Sequence, residues 1–259
     1  MRCVIVAAGM SSRLRPLTDA LPKCLLKIGG KTILERTVEN LLGAGAVNIA
    51  LVVGFEAEQI RSFLRQKFPE EKFRFILNPN FATTNNAYSL LLAGNYFLQS
   101  GVQKDTREHL LILDSDVVFH PHILQLIGRE DGENGIAVRV EGGHDAEEVR
   151  VTVNETGHVT KIGKDVDVKN SYGESIGIEW FDHETGKLLF AVLEKRVRAG
   201  KGRLEYYEES FQEMIDRGVK CKAVNVGDIP VVEIDSQADL AFAEQSVVPR
   251  IDSVHDVRI

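Results

Sequence analysis

Residues 2–7, RCVIVA, are an apolar run too short for a helix, and a glycine turn comes directly after it. Such a run reads as a buried strand, and the segments downstream supply the helices that would bury it. Residues 32–44 carry Ile33, Leu34, Val38, Leu41 and Leu42 at helical spacing; 48–53 read as a strand and 56–67 as a helix. Residues 73–77 read as a third strand, 85–98 as a third helix and 109–113 as a fourth strand. This alternation predicts an α/β fold, a Rossmann-like mixed, mostly parallel sheet flanked by helices on both faces. Ligands in such folds sit at the carboxyl ends of the strands.

From residue 136 the character changes. Segments 136–141, 148–163 and 175–181 read as shorter antiparallel strands, with a turn at Glu155-Thr156-Gly157. Helical patterns occupy 186–199 and 205–217, then a strand at 219–226 and an apolar run at 229–234 that leads into a closing helix at 236–246. Residues 247–259 have no clear period and read as a tail that packs on a neighbour or frays. With 259 residues, 44% of them hydrophobic, the chain suits one domain over 1–246 with a small lobe built into its second half.

The loop after the first strand carries the chemistry: AAGMSSRLRPLTDALPKCLLKIGGKTILE, residues 7–35. Gly9 to Ser12 can turn the chain so that successive backbone N–H groups face one point, an anion-binding nest. Arg13 and Lys23 add positive charge at the same end of the sheet. The net charge of −7 argues against a nucleic-acid or anionic-membrane partner, so any phosphate site is local. No Gly-Lys-Ser/Thr follows Gly9 at P-loop spacing, which excludes a P-loop in this turn. A dinucleotide-binding turn wants a third glycine and an acidic residue ending the second strand, where this chain has Val53-Gly54-Phe55. Cys3, Cys24 and Cys221 are scattered without metal-type spacing and read as reduced thiols. The apolar N-terminus is too short for a signal peptide or a span, so a cytoplasmic protein is expected.

The fourth strand ends in LILDSDVVF, which puts Asp114 and Asp116 at its carboxyl end with side chains on one side. Paired carboxylates opposite a basic phosphate loop suit a hard divalent cation. Asp235, in VVEIDSQADL, read alone caps the next helix.

The 7–35 segment resembles the signature of the sugar-phosphate nucleotidyltransferases: Gly-x-Gly-Thr/Ser-Arg, then Pro-Leu-Thr, then Pro-Lys. Ser11 stands where the family has its second glycine. The resemblance covers most of the chain and is strongest over residues 1–120. It implies that Ala7, Ala8, Gly9, Met10, Ser11, Ser12 and Arg13 hold the triphosphate of a nucleoside triphosphate. It also makes Arg13 and Lys23 the catalytic cations, Lys23 bridging the phosphates of both substrates. Asp116 and Asp235 become ligands of Mg²⁺ or Mn²⁺, with Glu233 as accessory and Asp114 near the ribose. Residues 1–135 then form the nucleotide-binding half and 136–235 the acceptor-binding half.

In the resembled family the loop NPNFATTNNAYSLLLAG, residues 78–94, reads the base, here through Asn78, Thr84, Asn85 and Asn86. Its Asn-Asn-x-Tyr-Ser-Leu form looks most like the branch that uses CTP with phosphocholine, aminoethylphosphonate or inositol phosphate. Tyr172, Trp180, Phe181, Tyr206 and Tyr207 lie in sequence near Glu174, Glu205, Glu208 and Glu209, and rings with carboxylates suit an ammonium group. YGESIGIEWF and LEYYEESFQEMI resemble the acceptor-binding segments of that branch, implying Tyr172, Glu174, Tyr207 and Glu208 as contacts. Lys161 and Lys164, in KIGK, read either as contacts to an acceptor phosphate or equally well as a solvated strand edge. The expected reaction is transfer of CMP from CTP to a small phosphorylated or phosphonylated amino alcohol, with pyrophosphate released. Inositol 1-phosphate or a sugar 1-phosphate is the alternative acceptor. A non-catalytic regulatory domain of the same fold is the alternative of another class, although Arg13, Lys23, Asp116 and Asp235 are all retained. A homo-oligomer stays open.

Overall fold

The computed structural model describes residues 1–99, 108–128, 133–140 and 148–253. β1 (Arg2–Ala7) is followed by a short pair, β2 (Lys27–Ile28) and β3 (Lys31–Thr32), and by α1 (Ile33–Gly43). Next come β4 (Asn48–Val53), α2 (Ala57–Lys67), β5 (Phe73–Leu77), α3 (Asn86–Leu92), α4 (Gly94–Gln99) and β6 (Leu110–Asp114). The second half runs β7 (Val117–Phe119), α5 (His122–Ile127), β8 (Asn134–Arg139), β9 (Arg150–Val153), β10 (Val159–Gly163) and β11 (Gly173–Phe181). It closes with α6 (His183–Arg198), α7 (Glu208–Asp216), β12 (Cys221–Asn225), β13 (Val231–Glu233), α8 (Gln237–Phe242) and α9 (Val248–Ser253).

The central sheet has nine strands in the order β10-β9-β11-β6-β1-β4-β5, with β8 and β12 branching from β11. β1, β4, β5 and β6 are parallel, and β8, β9 and β12 share their direction; β10 and β11 run against it. The sheet is thus mixed and mostly parallel. Side-chain alternation along β1 divides the core: Cys3, Ile5 and Ala7 join the cluster under α1 and α2, while Val4 and Val6 join the one that holds α3, α6 and α7. The first strand is buried on both faces because helices cover both.

A third apolar cluster fixes the chain's end. Val247, Val248 and Ile251 pack with Leu14, Ile28, Ile33 and Ile234. Residues 248–253, which the sequence leaves without a period, form α9, and Asp252 accepts from the Arg36 guanidinium at 2.8 Å. A turn of π-helix, Ala243–Val247, lies between α8 and α9, and it shifts the apolar phase that a helical pattern search would track. Residues 254–259 lie outside the described residues. Among the described residues no helix is long and apolar enough to cross a membrane.

Candidate active site

The loop after β1 turns through Gly9, Met10 and Ser11 into a 3₁₀ turn, Ser12–Leu14. Ser11 sits at φ 48°, ψ 52°, the left-handed region that a non-glycine residue enters at a cost of about 1–2 kcal/mol. This is the position where the resembled family has glycine. Two bonds hold it: the Thr18 hydroxyl donates to the Ser11 carbonyl at 2.7 Å, and the Leu14 N–H donates to it at 3.2 Å. Next door, a Cβ on Gly54 would stand 2.7 Å from the Ala8 carbonyl oxygen, so residue 54 must be bare for the loop to lie against β4. Ala7, Ala8, Gly9, Ser11 and Arg13 line a cleft of about 610 Å³ at the carboxyl ends of the parallel strands. Exposed Met10 and Ser12 lie beside it and are not among its lining residues.

Lys23 stands at the centre of the charge. Its ammonium lies 2.7 Å from Asp116 Oδ2 and 2.6 Å from Asp235 Oδ1, with the side chain only 8% exposed. Burial alone would lower its pKa, but the two carboxylates outweigh burial and hold it above the ordinary lysine value. Asp235 Oδ2 pairs with the Arg13 guanidinium at 2.9 Å. Burial works to raise the Asp235 carboxyl, yet Lys23 and Arg13 prevail and hold it below the usual range. Asp116 and Asp235 are far apart in sequence and meet because β7 and β13 pair antiparallel, Val117 opposite Glu233. The Ile234 N–H donates to the Asp116 carbonyl at 3.0 Å and completes that register. Asp235 does not cap α8; Ser236 does, in a capping box with Asp239.

Carboxylate oxygens of Asp116, Glu233 and Asp235 lie within 4.8 Å of one another. Asp116 Oδ1 is buried with no hydrogen-bond partner among the described residues. Glu233 is pushed well above its ordinary pKa by burial and then by the neighbouring carboxylates. An all-oxygen donor set with an orphaned buried oxygen fits a hard divalent cation.

Asn78, Thr84, Asn85 and Asn86 form one hydrogen-bonded loop. Asn78 is fully buried under it, its Nδ2 donating to Thr84 Oγ1 at 3.1 Å and to Ser89 Oγ at 3.0 Å. Thr84, Asn85 and Asn86 reach the cleft wall; Asn85 caps α3 by accepting from the Asn86 N–H at 2.8 Å.

Asp114 lies on the cleft floor and accepts from the Tyr207 hydroxyl at 2.9 Å. Burial first, then the carboxylates of Asp116 and Glu208, push its pKa well up. β11 makes room for it: Gly177 has φ 66°, and a Cβ there would stand 2.7 Å from Asp114 Oδ2. Tyr207 is fully buried, packed on Phe211 beneath the floor rather than on the cleft surface. Glu208 lines the cleft, and burial pushes its pKa up to about 7. Glu174 lines it too, accepting from Arg139 at 2.6 Å; burial raises its pKa despite that partner. Tyr172 packs with the core face of the second lobe, and Lys161 pairs with Asp165 at 2.7 Å on the exposed side. Lys164 lines the cleft instead, its ammonium 4.3 Å from the Tyr206 ring centroid.

No local pattern signalled Arg139, which lines the cleft beside Glu174. Nor did one mark Glu179, which is wholly buried with both carboxylate oxygens lacking hydrogen-bond partners among the described residues. Burial, then Asp114 and Glu208, push the Glu179 pKa well up. Alternation along β11 would have put Glu179 on the core face with Phe181, an acid on an apolar face.

A family model described as the MobA-like NTP transferase domain matches residues 3–198. A CMP-5'-(3-aminopropyl)phosphonate synthase from Streptomyces rubellomurinus is 31% identical over 137 residues, 53% of this chain and 20% of that relative. A CTP:phosphoglutamine cytidylyltransferase from Campylobacter jejuni is 28% identical over 260 residues, 93% of this chain and 98% of the relative. Among solved structures, the inositol-1-phosphate CTP transferase from T. maritima superimposes with a TM-score of 0.76 at 22% identity, covering 97% of this chain and 94% of that one. That likeness shows the fold.

Proposed function

The chain belongs to the MobA-like NTP transferase domain family, and we propose that it transfers CMP from CTP to a small phosphorylated or phosphonylated amino alcohol, with pyrophosphate as the second product. Phosphocholine and 2-aminoethylphosphonate are the acceptors the cleft suits best. The observation that carries the reading is Lys23, held between Asp116 and Asp235 in a cleft that has a glycine turn at one end and buried carboxylates at the other. The first end suits a triphosphate, through backbone N–H groups and Arg13. The second, with Glu174, Glu208 and the Tyr206 ring, suits a phosphate ester that carries an ammonium group. CTP is favoured by the likeness to the aminopropylphosphonate synthase and the phosphoglutamine cytidylyltransferase, both named for a cytidine nucleotide.

An acceptor phosphate oxygen bonds to the α-phosphorus of CTP while the bond from that phosphorus to the β-bridging oxygen breaks, and pyrophosphate departs with the electron pair. The acceptor is already an anion at neutral pH, so no side chain has to remove a proton. Catalysis is positioning and charge neutralisation, which Arg13 and Lys23 supply by exchanging carboxylate for phosphate oxygens. Asp116, Asp235 and Glu233 would hold Mg²⁺ or Mn²⁺, which supplies further positive charge against the phosphates.

Pyrophosphate release with Mg²⁺ tests this, with four nucleoside triphosphates screened against phosphocholine, 2-aminoethylphosphonate, inositol 1-phosphate and glucose 1-phosphate. Release with CTP and a cationic acceptor is expected. Release with a polyol phosphate alone would keep the transfer reaction and discard the ammonium pocket. Tight CTP binding with no release in any pairing would favour a non-catalytic domain.

A further inference from the structure

The segment between α6 and α7 is fastened to the loop that opens α3. The Asn85 N–H donates to the Arg203 carbonyl at 2.8 Å, and Asn85 Nδ2 donates to the Leu204 carbonyl at 3.4 Å. The Tyr207 N–H donates to Asn86 Oδ1 at 2.9 Å. The Arg203 guanidinium lies 4.9 Å from the Tyr88 ring centroid. On its other side the segment is held to α6 by Arg196, which donates to Glu205 at 2.8 Å. Tyr206, Tyr207 and Glu208 come next in the chain: the first and third line the cleft, and the second places its hydroxyl on Asp114.

We infer that Asn86 is a positioning residue for the acceptor end of the cleft: its carboxamide oxygen holds the Tyr207 N–H and so seats Tyr206 and Glu208 where an acceptor would meet them, with Tyr207 beneath them on Asp114. One lone pair of the Asn86 side-chain oxygen is taken up by the Tyr207 N–H. Tyr207 is the N-cap residue of α7 and has no side-chain capping bond of its own, so its N–H is held by Asn86 while its ring and hydroxyl are held by Phe211 and Asp114. The buried Tyr207 ring hangs from the same backbone, and a shift of its N–H carries the hydroxyl off Asp114. The loop named for the nucleotide thus shapes the pocket for its partner. The consequence for turnover rests on the transfer reading above; the structural role does not.

Hydrogen exchange on the ligand-free protein decides the role. In Asn86→Ala the amides of residues 203–208 are expected to exchange about tenfold faster than in wild type, with β1 and β6 unchanged. Asn86→Asp keeps an oxygen in the same place and should return them to within about threefold of wild type. Steady-state kinetics with CTP and phosphocholine give the second readout. Asn86→Ala should raise the phosphocholine KM about tenfold and move kcat and the CTP KM by less than about threefold, with Asn86→Asp restoring the phosphocholine KM. Unchanged exchange in Asn86→Ala, or no restoration by Asn86→Asp in the exchange arm, would overturn the inference. A raised CTP KM with an unmoved phosphocholine KM would overturn it too, and would make Asn86 a base reader. If wild type gives no turnover with phosphocholine, the transfer reading fails while the exchange arm still decides the role of Asn86.

Discussion

Replacing Lys23 by Met removes one charge from the centre of the cleft and keeps most of the buried stem. The ammonium is only 8% exposed and sits 2.7 and 2.6 Å from Asp116 and Asp235. After the substitution Asp235 retains Arg13 at 2.9 Å, but Asp116 loses its ammonium partner, and its Oδ1 already lacks a hydrogen bond among the described residues. Removing one member of a buried ion pair costs about 3–5 kcal/mol; the carboxylates here are partly exposed, so the low end, about 3 kcal/mol, applies. In a chain of this size that corresponds to a fall in Tm of about 6–12 °C. The sign with pH is simple. Lys23 has its pKa raised in the folded state, so its stabilising effect is complete below the unfolded lysine value and constant across neutral pH. Thermal unfolding at pH 7 without divalent ions is the assay, repeated with Mn²⁺ added. An ion at about a hundred times its Kd contributes about 2.7 kcal/mol, enough to close most of the deficit in the variant. Wild type should gain less, because there the ion must first displace the ammonium. A variant that melts within about 2 °C of wild type, with the same response to Mn²⁺, would refute the reasoning.

Glu208→Gln should remove a pH-dependent penalty. The Glu208 carboxyl is raised from 4.5 to about 7 in the fold, so its stability contribution is present at low pH and lost as pH rises between those values, about 3 kcal/mol in all. The Tm advantage of the variant should therefore widen from pH 5 to pH 8; a constant gap contradicts it. Asp116→Asn should abolish divalent-dependent pyrophosphate release, and an unchanged metal titration would remove Asp116 from the metal site. Gly177→Ala forces a Cβ to within 2.7 Å of Asp114 Oδ2 at positive φ, so it should cost about 1–3 kcal/mol and disturb the cleft floor. Wild-type stability and kinetics in that variant would show that β11 can relax there.

Much of the fold was legible because burial leaves a direct trace in sequence. β1 reads as apolar because both its faces are covered, and α1 shows a stripe, Leu34, Val38 and Leu41, where it packs on the sheet, although its first turns are buried on other sides as well. The glycine turn, Arg13 and Lys23 were legible for a different reason: they lie within one short stretch, so spacing alone brings them together. Long-range convergence is where sequence falls silent. The meeting of Asp116 with Asp235 depends on the β7–β13 register, which no local pattern encodes. Tyr206 and Tyr207 are adjacent, and only the start of α7 decides that the first faces the cleft while the second is buried under Asp114. Lys161 lies within β10 and Lys164 just beyond its end at Gly163, and only Lys164 comes out on the cleft side. Asn86 carries no mark of its bond to Tyr207 because the two residues come from opposite halves of the chain.

The central claim is that the cleft makes a phosphoric anhydride between CMP and a cationic phosphate ester. Phosphorus NMR of the reaction with CTP, phosphocholine and Mg²⁺ tests it directly. The account predicts two coupled diphosphate resonances from one new product, appearing in step with free pyrophosphate. Pyrophosphate accompanied by CMP alone would mean hydrolysis without transfer, and CTP unchanged beside intact phosphocholine would mean that the cleft does not bring these two substrates together; either result contradicts the claim.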